Sequence, residues 1–176
     1  MAFRMPALII PLLSVLGCGA AARPDGGRGL LPAGSPAPDV SGPDQDGRGH
    51  RLLDEHGRLV VVYFYPRDAT PGCTREACAF RDAWDRFRQA GIVVFGVSTQ
   101  DEASHARFAR EHRLPFPLIA DPGLRWVAAF GVPVRLGMAA RVSFLIDRAG
   151  RVAKVYPDVD PGVHASQILA DAGAMR

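Results

Sequence analysis

The sequence predicts a mixed α/β sheet with helices on both of its faces. Three observations carry that reading. Apolar, β-branched runs alternate with segments of helical periodicity, two late runs are joined by a tight turn, and 176 residues suit one domain with a proper core. Val40 to Leu53 contains Asp46-Gly47 and Gly49, which predicts a short hairpin. Leu59 to Tyr65 is β-branched and aromatic, a buried strand. From Thr74 to Ala90 the apolar residues Ala77, Phe80, Trp84 and Phe87 fall at helical spacing, and Gly91 ends the helix. Ile92 to Val97 is a second buried strand. Asp101 to Arg113 is an amphipathic helix capped by Asp101, with Phe108 on its inner face. Pro117 to Ala120 is a short strand, and Asp121-Pro122 opens a helix to Phe130. Arg141 to Ile146 and Val152 to Tyr156 are strands joined by a turn at Asp147-Arg148-Ala149-Gly150, and Val163 to Ala172 is a closing helix. No internal repeat interrupts this order.

Residues 1–17 stand apart. Arg4 precedes the apolar stretch Met5 to Leu16, which is too short to span a bilayer comfortably and reads as an export signal. The Gly17-Cys18 step at its end resembles the bacterial lipobox, in which the cysteine becomes a lipidated N-terminus. Ordinary cleavage at Ala20-Ala21-Ala22 is the alternative. Both readings place the chain on the periplasmic side of a bacterial membrane, anchored through Cys18 in the first and soluble in the second. Residues 18–36, with only Leu30-Leu31 apolar, read as a flexible tether whose root-mean-square reach is roughly 25 Å. The folded domain is expected over 37–176.

The formal charge of +3 does not imply a nucleic-acid partner. Its basic residues are scattered among acids rather than gathered in a stripe, and all but Lys154 are arginine. Asp54-Glu55, Asp82 and Asp85 read as solvated, and Trp84 and Trp126 as core or interface aromatics. His105 and His112 lie seven apart, about 10 Å along a helix, too far to share a metal ion.

The chemistry gathers in Tyr65-Pro66-Arg67-Asp68-Ala69-Thr70-Pro71-Gly72-Cys73, followed by Cys78. A strand ends in a Pro/Gly turn that delivers a thiol to a helix start, where unpaired N–H groups and the helix dipole favour an ionised sulfur. Read alone, Cys78 is either a buried small hydrophobe or a partner for Cys73. Arg141, read alone, is a charge at a strand start.

Pro66, Thr70 and Cys73 reproduce a P-x-x-x-T-x-x-C pattern, and the chain resembles the peroxiredoxin family, in particular its bacterioferritin-comigratory-protein or peroxiredoxin Q branch of atypical two-cysteine enzymes. Phe80-Arg81-Asp82, Phe95-Gly96-Val97-Ser98, Phe116-Pro117-Leu118 with Asp121, and Arg141 to Asp147 fit the branch in order and spacing. The resemblance implies a thioredoxin-like fold with an N-terminal β-hairpin extension. It implies a thiol-dependent peroxidase acting on hydrogen peroxide and organic hydroperoxides, with no metal, haem or flavin, a thioredoxin-like dithiol reductant as partner, and a monomer.

The resemblance also implies the roles. Cys73 is the peroxidatic thiolate, Thr70 offers its hydroxyl to the peroxide, and Pro66 shields the pocket. Arg141 holds sulfur and peroxide oxygens through its forked donors, and Glu76 orients that arginine. Cys78 is the resolving cysteine that condenses with the Cys73 sulfenic acid. Cα atoms five residues apart on an intact helix are roughly 8–9 Å apart. A disulfide needs less than about 7 Å, so the first turns must unwind for the two sulfurs to join. Two other readings compete. A thiol–disulfide oxidoreductase would use C-x-x-C, and this chain has four residues between its cysteines. A copper-carrying lipoprotein would need a late histidine, for which only His164 is available.

Overall fold

The computed structural model describes residues 22–175. Five strands form the central sheet: β3 (Leu59–Phe64), β4 (Ile92–Ser98), β5 (Leu118–Ala120), β8 (Val142–Ile146) and β9 (Val152–Tyr156). Their spatial order is β5-β4-β3-β8-β9, with β3, β4 and β5 parallel and β8 and β9 antiparallel to their neighbours. The expected N-terminal hairpin is β1 (Ser41–Pro43) paired with β2 (Gly49–Arg51).

All six residues of β3 are buried because both sheet faces are covered. Leu59, Val61 and Tyr63 point to one side. There they meet Phe80 of α1 (Pro71–Asp82), Phe87 of α2 (Trp84–Gln89), Phe108 of α3 (Glu102–His112) and Ile168 of α5 (His164–Gly173). Val60, Val62 and Phe64 point to the other, against Trp126 and Phe130 of α4 (Arg125–Phe130). Burying each of these large side chains is worth about 2–3 kcal/mol. The sheet therefore supplies a stiff platform for whatever leaves its edge.

The structure departs from the sequence reading in four places. The helix expected over 74–90 begins earlier, with Pro71 in its first turn, and breaks at Ala83 into α1 and α2. Phe80 and Phe87 still pack against each other across the break, with ring centroids 5.5 Å apart, so the apolar period runs through it undisturbed. The helix expected from Asp121 starts only at Arg125. Asp121 caps it from outside, accepting from the backbone N–H groups of Arg125 (2.7 Å) and Val127 (3.0 Å). A small hairpin, β6 (Val134–Arg135) and β7 (Met138–Ala139), precedes Arg141 and was not anticipated.

The fourth departure is the tether. Of residues 18–36, those from 22 onward lie against the domain. Leu31 is buried, its N–H donates to the Phe130 carbonyl (2.9 Å), and the Gly34 N–H donates to the Val152 carbonyl (2.7 Å). Gly29 passes so close to Gly131 that a Cβ there would sit 1.9 Å from the Gly29 oxygen. Two leucines and a set of backbone carbonyls are enough to seat a segment whose composition reads as spacer. The export signal and Cys18 lie outside the described residues.

Candidate active site

The site is assembled by sheet register. Antiparallel pairing sets Phe64 opposite Val142, so Arg141 enters β8 level with Tyr65, where β3 gives way to the loop carrying Pro66 and Thr70. Thr70 is the N-cap residue of α1, in extended conformation, and Cys73 is its third helical residue. The Cys73 side chain is buried, and the Arg141 Nη2 donates to its Sγ at 3.2 Å. The other guanidinium nitrogen, Nη1, donates to the Glu76 carboxylate one turn along α1.

Electrostatics follow from this packing. Burial pushes the Glu76 carboxyl up to about 7, although the Arg141 charge and hydrogen bond pull the other way. Burial likewise works against the Arg141 charge, but Glu76 and Cys73 outweigh it and hold the guanidinium above its ordinary value. Gly72 makes the approach possible, since a Cβ at that position would meet Nη2 at 3.1 Å. A fixed cation thus faces a buried sulfur at a helix N-terminus. That arrangement can stabilise negative charge developing on an oxygen brought to the sulfur.

Pro66 is half-buried at the start of the loop, and the Thr70 Oγ1 donates to the Arg67 carbonyl (3.0 Å), closing the loop on itself. Cys78 is half-buried farther along the same unbroken helix, and both it and Cys73 are free thiols. His164 is buried, with Nε2 2.8 Å from the Ser143 Oγ. Burial, with a smaller contribution from the Arg141 charge, depresses its imidazole to about 4. Among the described residues no cluster of three or more His, Cys, Asp or Glu side chains is arranged to hold a metal ion.

Sequence reasoning overlooked Asp68 and His105. Asp68 lies two residues before Thr70, and its carboxylate is buried and fully engaged. Oδ1 accepts from the Tyr65 hydroxyl (2.8 Å), and Oδ2 accepts from the Ser104 hydroxyl (2.7 Å) and His105 Nδ1 (2.8 Å). Burial disfavours its charge, but the hydrogen bonds from His105, Ser104 and Tyr65 prevail and hold the carboxyl below its ordinary value. The far side of His105 meets Ser98 at the end of β4 (Nε2 to Oγ, 3.4 Å). The one signal in the chain was an aspartate inside the motif loop and a histidine on the inner face of α3, and nothing local joins them. A cavity of about 640 Å³ lies between the β1–β2 hairpin and the start of α4 and is lined by none of these residues.

Comparison with known proteins places the chain. Residues 33–155 match the model of the AhpC/TSA family. The chloroplastic peroxiredoxin Q of Oryza sativa subsp. japonica is 42% identical over 144 residues, covering 80% of this chain. The chain spans 66% of that plant protein's length. Among solved structures, the peroxidoxin BcpB of Mycobacterium tuberculosis superimposes with a TM-score of 0.78 at 35% identity, over 83% of this chain and 99% of that one. Peroxiredoxin Q of Xanthomonas campestris gives 0.75 at 31%, over 81% and 97%.

Proposed function

The chain belongs to the AhpC/TSA family, and on that premise we propose that it is a thiol-dependent peroxidase of the peroxiredoxin Q type, with Cys73 as its peroxidatic residue. The observation that carries the reading is the Arg141 Nη2 held 3.2 Å from the Cys73 sulfur, with buried Glu76 behind it. The Cys73 thiolate attacks one oxygen of a hydroperoxide, the O–O bond breaks, and the departing alkoxide or hydroxide takes a proton to leave as alcohol or water. Arg141 stabilises the charge on that departing oxygen, and Thr70 orients the peroxide from the loop. Cys73 is then a sulfenic acid. The Cys78 thiol attacks its sulfur, water leaves, and a Cys73–Cys78 disulfide remains for an external dithiol of the thioredoxin type to reduce. Because both cysteines sit on one continuous helix, resolution requires its first turns to open.

The test uses the reduced chain, freed of excess thiol and mixed with one equivalent of hydrogen peroxide. Peroxide should disappear far faster than with free cysteine while intact mass falls by two hydrogens. Cys73→Ser should abolish the reaction, and Cys78→Ser should leave a sulfenic acid. Peroxide loss no faster than with free cysteine would overturn the reading.

The periplasmic, lipid-anchored state and the monomer belong to the same proposal. The sequence at Gly17-Cys18 supports anchoring, and a labelled fatty acid should enter the membrane-bound protein but not Cys18→Ala. Unlabelled, soluble protein would instead favour cleavage at Ala20-Ala21-Ala22.

A further inference from the structure

The loop that presents Thr70 has little to hold it by local means. It runs from Tyr65 to Thr70 with no ladder partner beyond the Tyr65 N–H, which donates to the Val97 carbonyl (3.1 Å). Ala69 sits at φ +56, a left-handed conformation that a non-glycine residue keeps only where its neighbours over-determine it. What over-determines it lies far along the chain, at residues 32, 36 and 37 positions beyond Asp68. Besides the three donors to its carboxylate, Asp68 gives its own backbone N–H to the Gln100 Oε1, and the Gln100 amide donates onward to the Ser104 Oγ (2.8 Å). Ser98, Gln100, Ser104 and His105 come from the end of β4, the β4–α3 connection and the start of α3. Tyr65, Asp68, Ser98 and His105 are buried, so the network meets no substrate. The Ser98–His105–Asp68 alignment resembles a hydrolytic triad in its contacts, but its burial removes any such role.

We propose that Asp68 and His105 form a latch that fixes the Thr70 loop over Cys73, making them positioning residues for the peroxide step rather than for resolution. The proposal rests on the peroxidase reading above. The latch ties the loop to the end of β4 and the start of α3, away from the polar tie between α1 and α3, where the Arg81 Nη1 donates to the His112 carbonyl (2.8 Å) at the far end of both helices. Cys78 lies on the other side of Cys73 in the chain, outside the latched segment. Releasing the latch should therefore slow attack on the peroxide, which needs Thr70 and Cys73 in one geometry, and leave disulfide formation unimpaired. Within the latch the donor at Nδ1 is what matters, since an ionised carboxylate can only accept.

The experiment is stopped-flow fluorescence of Trp84 and Trp126 on the reduced full chain across hydrogen peroxide concentrations. This separates the peroxide-dependent oxidation phase from the concentration-independent disulfide phase. Asp68→Asn and His105→Leu should slow oxidation about tenfold or more, as expected for an ångström-scale misplacement of a positioning group. His105→Asn, whose amide nitrogen falls near the place of Nδ1, should stay within about threefold of the wild type, and Ser104→Ala, which loses one donor of three, should lie between them. The disulfide phase should be unchanged or faster in all four. In a Thr70→Val background the latch substitutions should add no more than about twofold, because they act through Thr70.

Several results would overturn the latch. One is wild-type oxidation in both Asp68→Asn and His105→Leu; another is the full tenfold loss persisting in Thr70→Val. A third is a parallel slowing of both phases, which marks general loosening. Should Asp68→Asn not fold, the His105→Asn and His105→Leu contrast decides alone, equal rates in the two contradicting the latch. If the wild type itself reacts no faster than free cysteine, the peroxidase reading falls first and the latch with it, an outcome distinct from a fast wild type with fast variants.

Discussion

The two sides of Cys73 are built on opposite rules. On the loop side, the Asp68 carboxylate, the Tyr65 hydroxyl and the Ser104 hydroxyl all find partners between 2.7 and 2.8 Å. On the Arg141 side, polar atoms are buried without protein partners: the Tyr63 hydroxyl, Glu76 Oε1 and His164 Nδ1. A fully satisfied buried network confers rigidity, whereas an under-satisfied one holds its members at a cost and leaves them responsive to charge. The same contrast shows in the carboxyls. Asp68 is held below its ordinary value and Glu76 is raised to about 7. One side of the sulfur keeps geometry, and the other manages charge.

The contrast breaks most visibly at Arg141. Arg141→Lys keeps a cation but loses the fork that reaches both Cys73 and Glu76, and peroxide oxidation should fall about a hundredfold. Stability should fall much less, because Glu76, already near 7, can take up a proton when its partner weakens. An oxidation rate within about threefold of the wild type would remove Arg141 from the reacting geometry, as measured by stopped flow beside thermal melts.

The next effect is on stability against pH. The folded value of Glu76, about 7, lies above its unfolded value, so the native state binds more protons and stability falls as pH rises from about 4.5 to 7. His164, depressed to about 4, acts in the opposite sense. Its unfolded form binds more protons between pH 4 and 6.5, so stability rises with pH through that window. The two should nearly cancel between pH 5 and 6. Glu76→Gln should uncover a rise, and His164→Gln a fall, each approaching 1.4 kcal/mol per pH unit at most. Urea melts at several pH values read both slopes, and unchanged slopes in the two variants would contradict the charge assignments. Asp68 contributes separately. Its stabilisation is present above pH 4 and is lost as pH falls through its lowered folded value.

The smallest effect separates the two tyrosines. Tyr65→Phe removes a donor to Asp68 and should cost about 1–2 kcal/mol, whereas Tyr63→Phe removes a hydroxyl with no partner and should change stability by less than about 0.5 kcal/mol. Equal costs would erase the distinction between the two sides.

Sequence legibility follows the same boundary. The strands β3, β4 and β8 were readable because a strand buried along its whole length is mostly apolar, and β9, a half-buried edge strand that carries Lys154, was readable from its valines and the turn before it. The meeting of Cys73 and Arg141 was readable because both residues fall in recognisable motifs. Asp68 and His105 were not, because their meaning lies in a pairing across 37 positions that only the packing of α3 creates. The docking of residues 22–36 was hidden for a related reason: it relies on backbone carbonyls and one close glycine approach at Gly131, and composition records neither. The break at Ala83 carries no glycine or proline to announce it.

The most direct test is hydrogen exchange on the intact chain, reduced and then oxidised with one equivalent of peroxide, with the disulfide mapped in the same sample. Amides of α1 from Cys73 onward should be protected in the reduced protein and exchange rapidly once Cys73 and Cys78 are joined. The Asp68 amide and the strands β3 and β4 should stay protected in both states. Persistent protection across α1 in a sample that carries the Cys73–Cys78 bond, or loss of protection at Asp68 together with α1, would contradict a site with one side held and the other free to open.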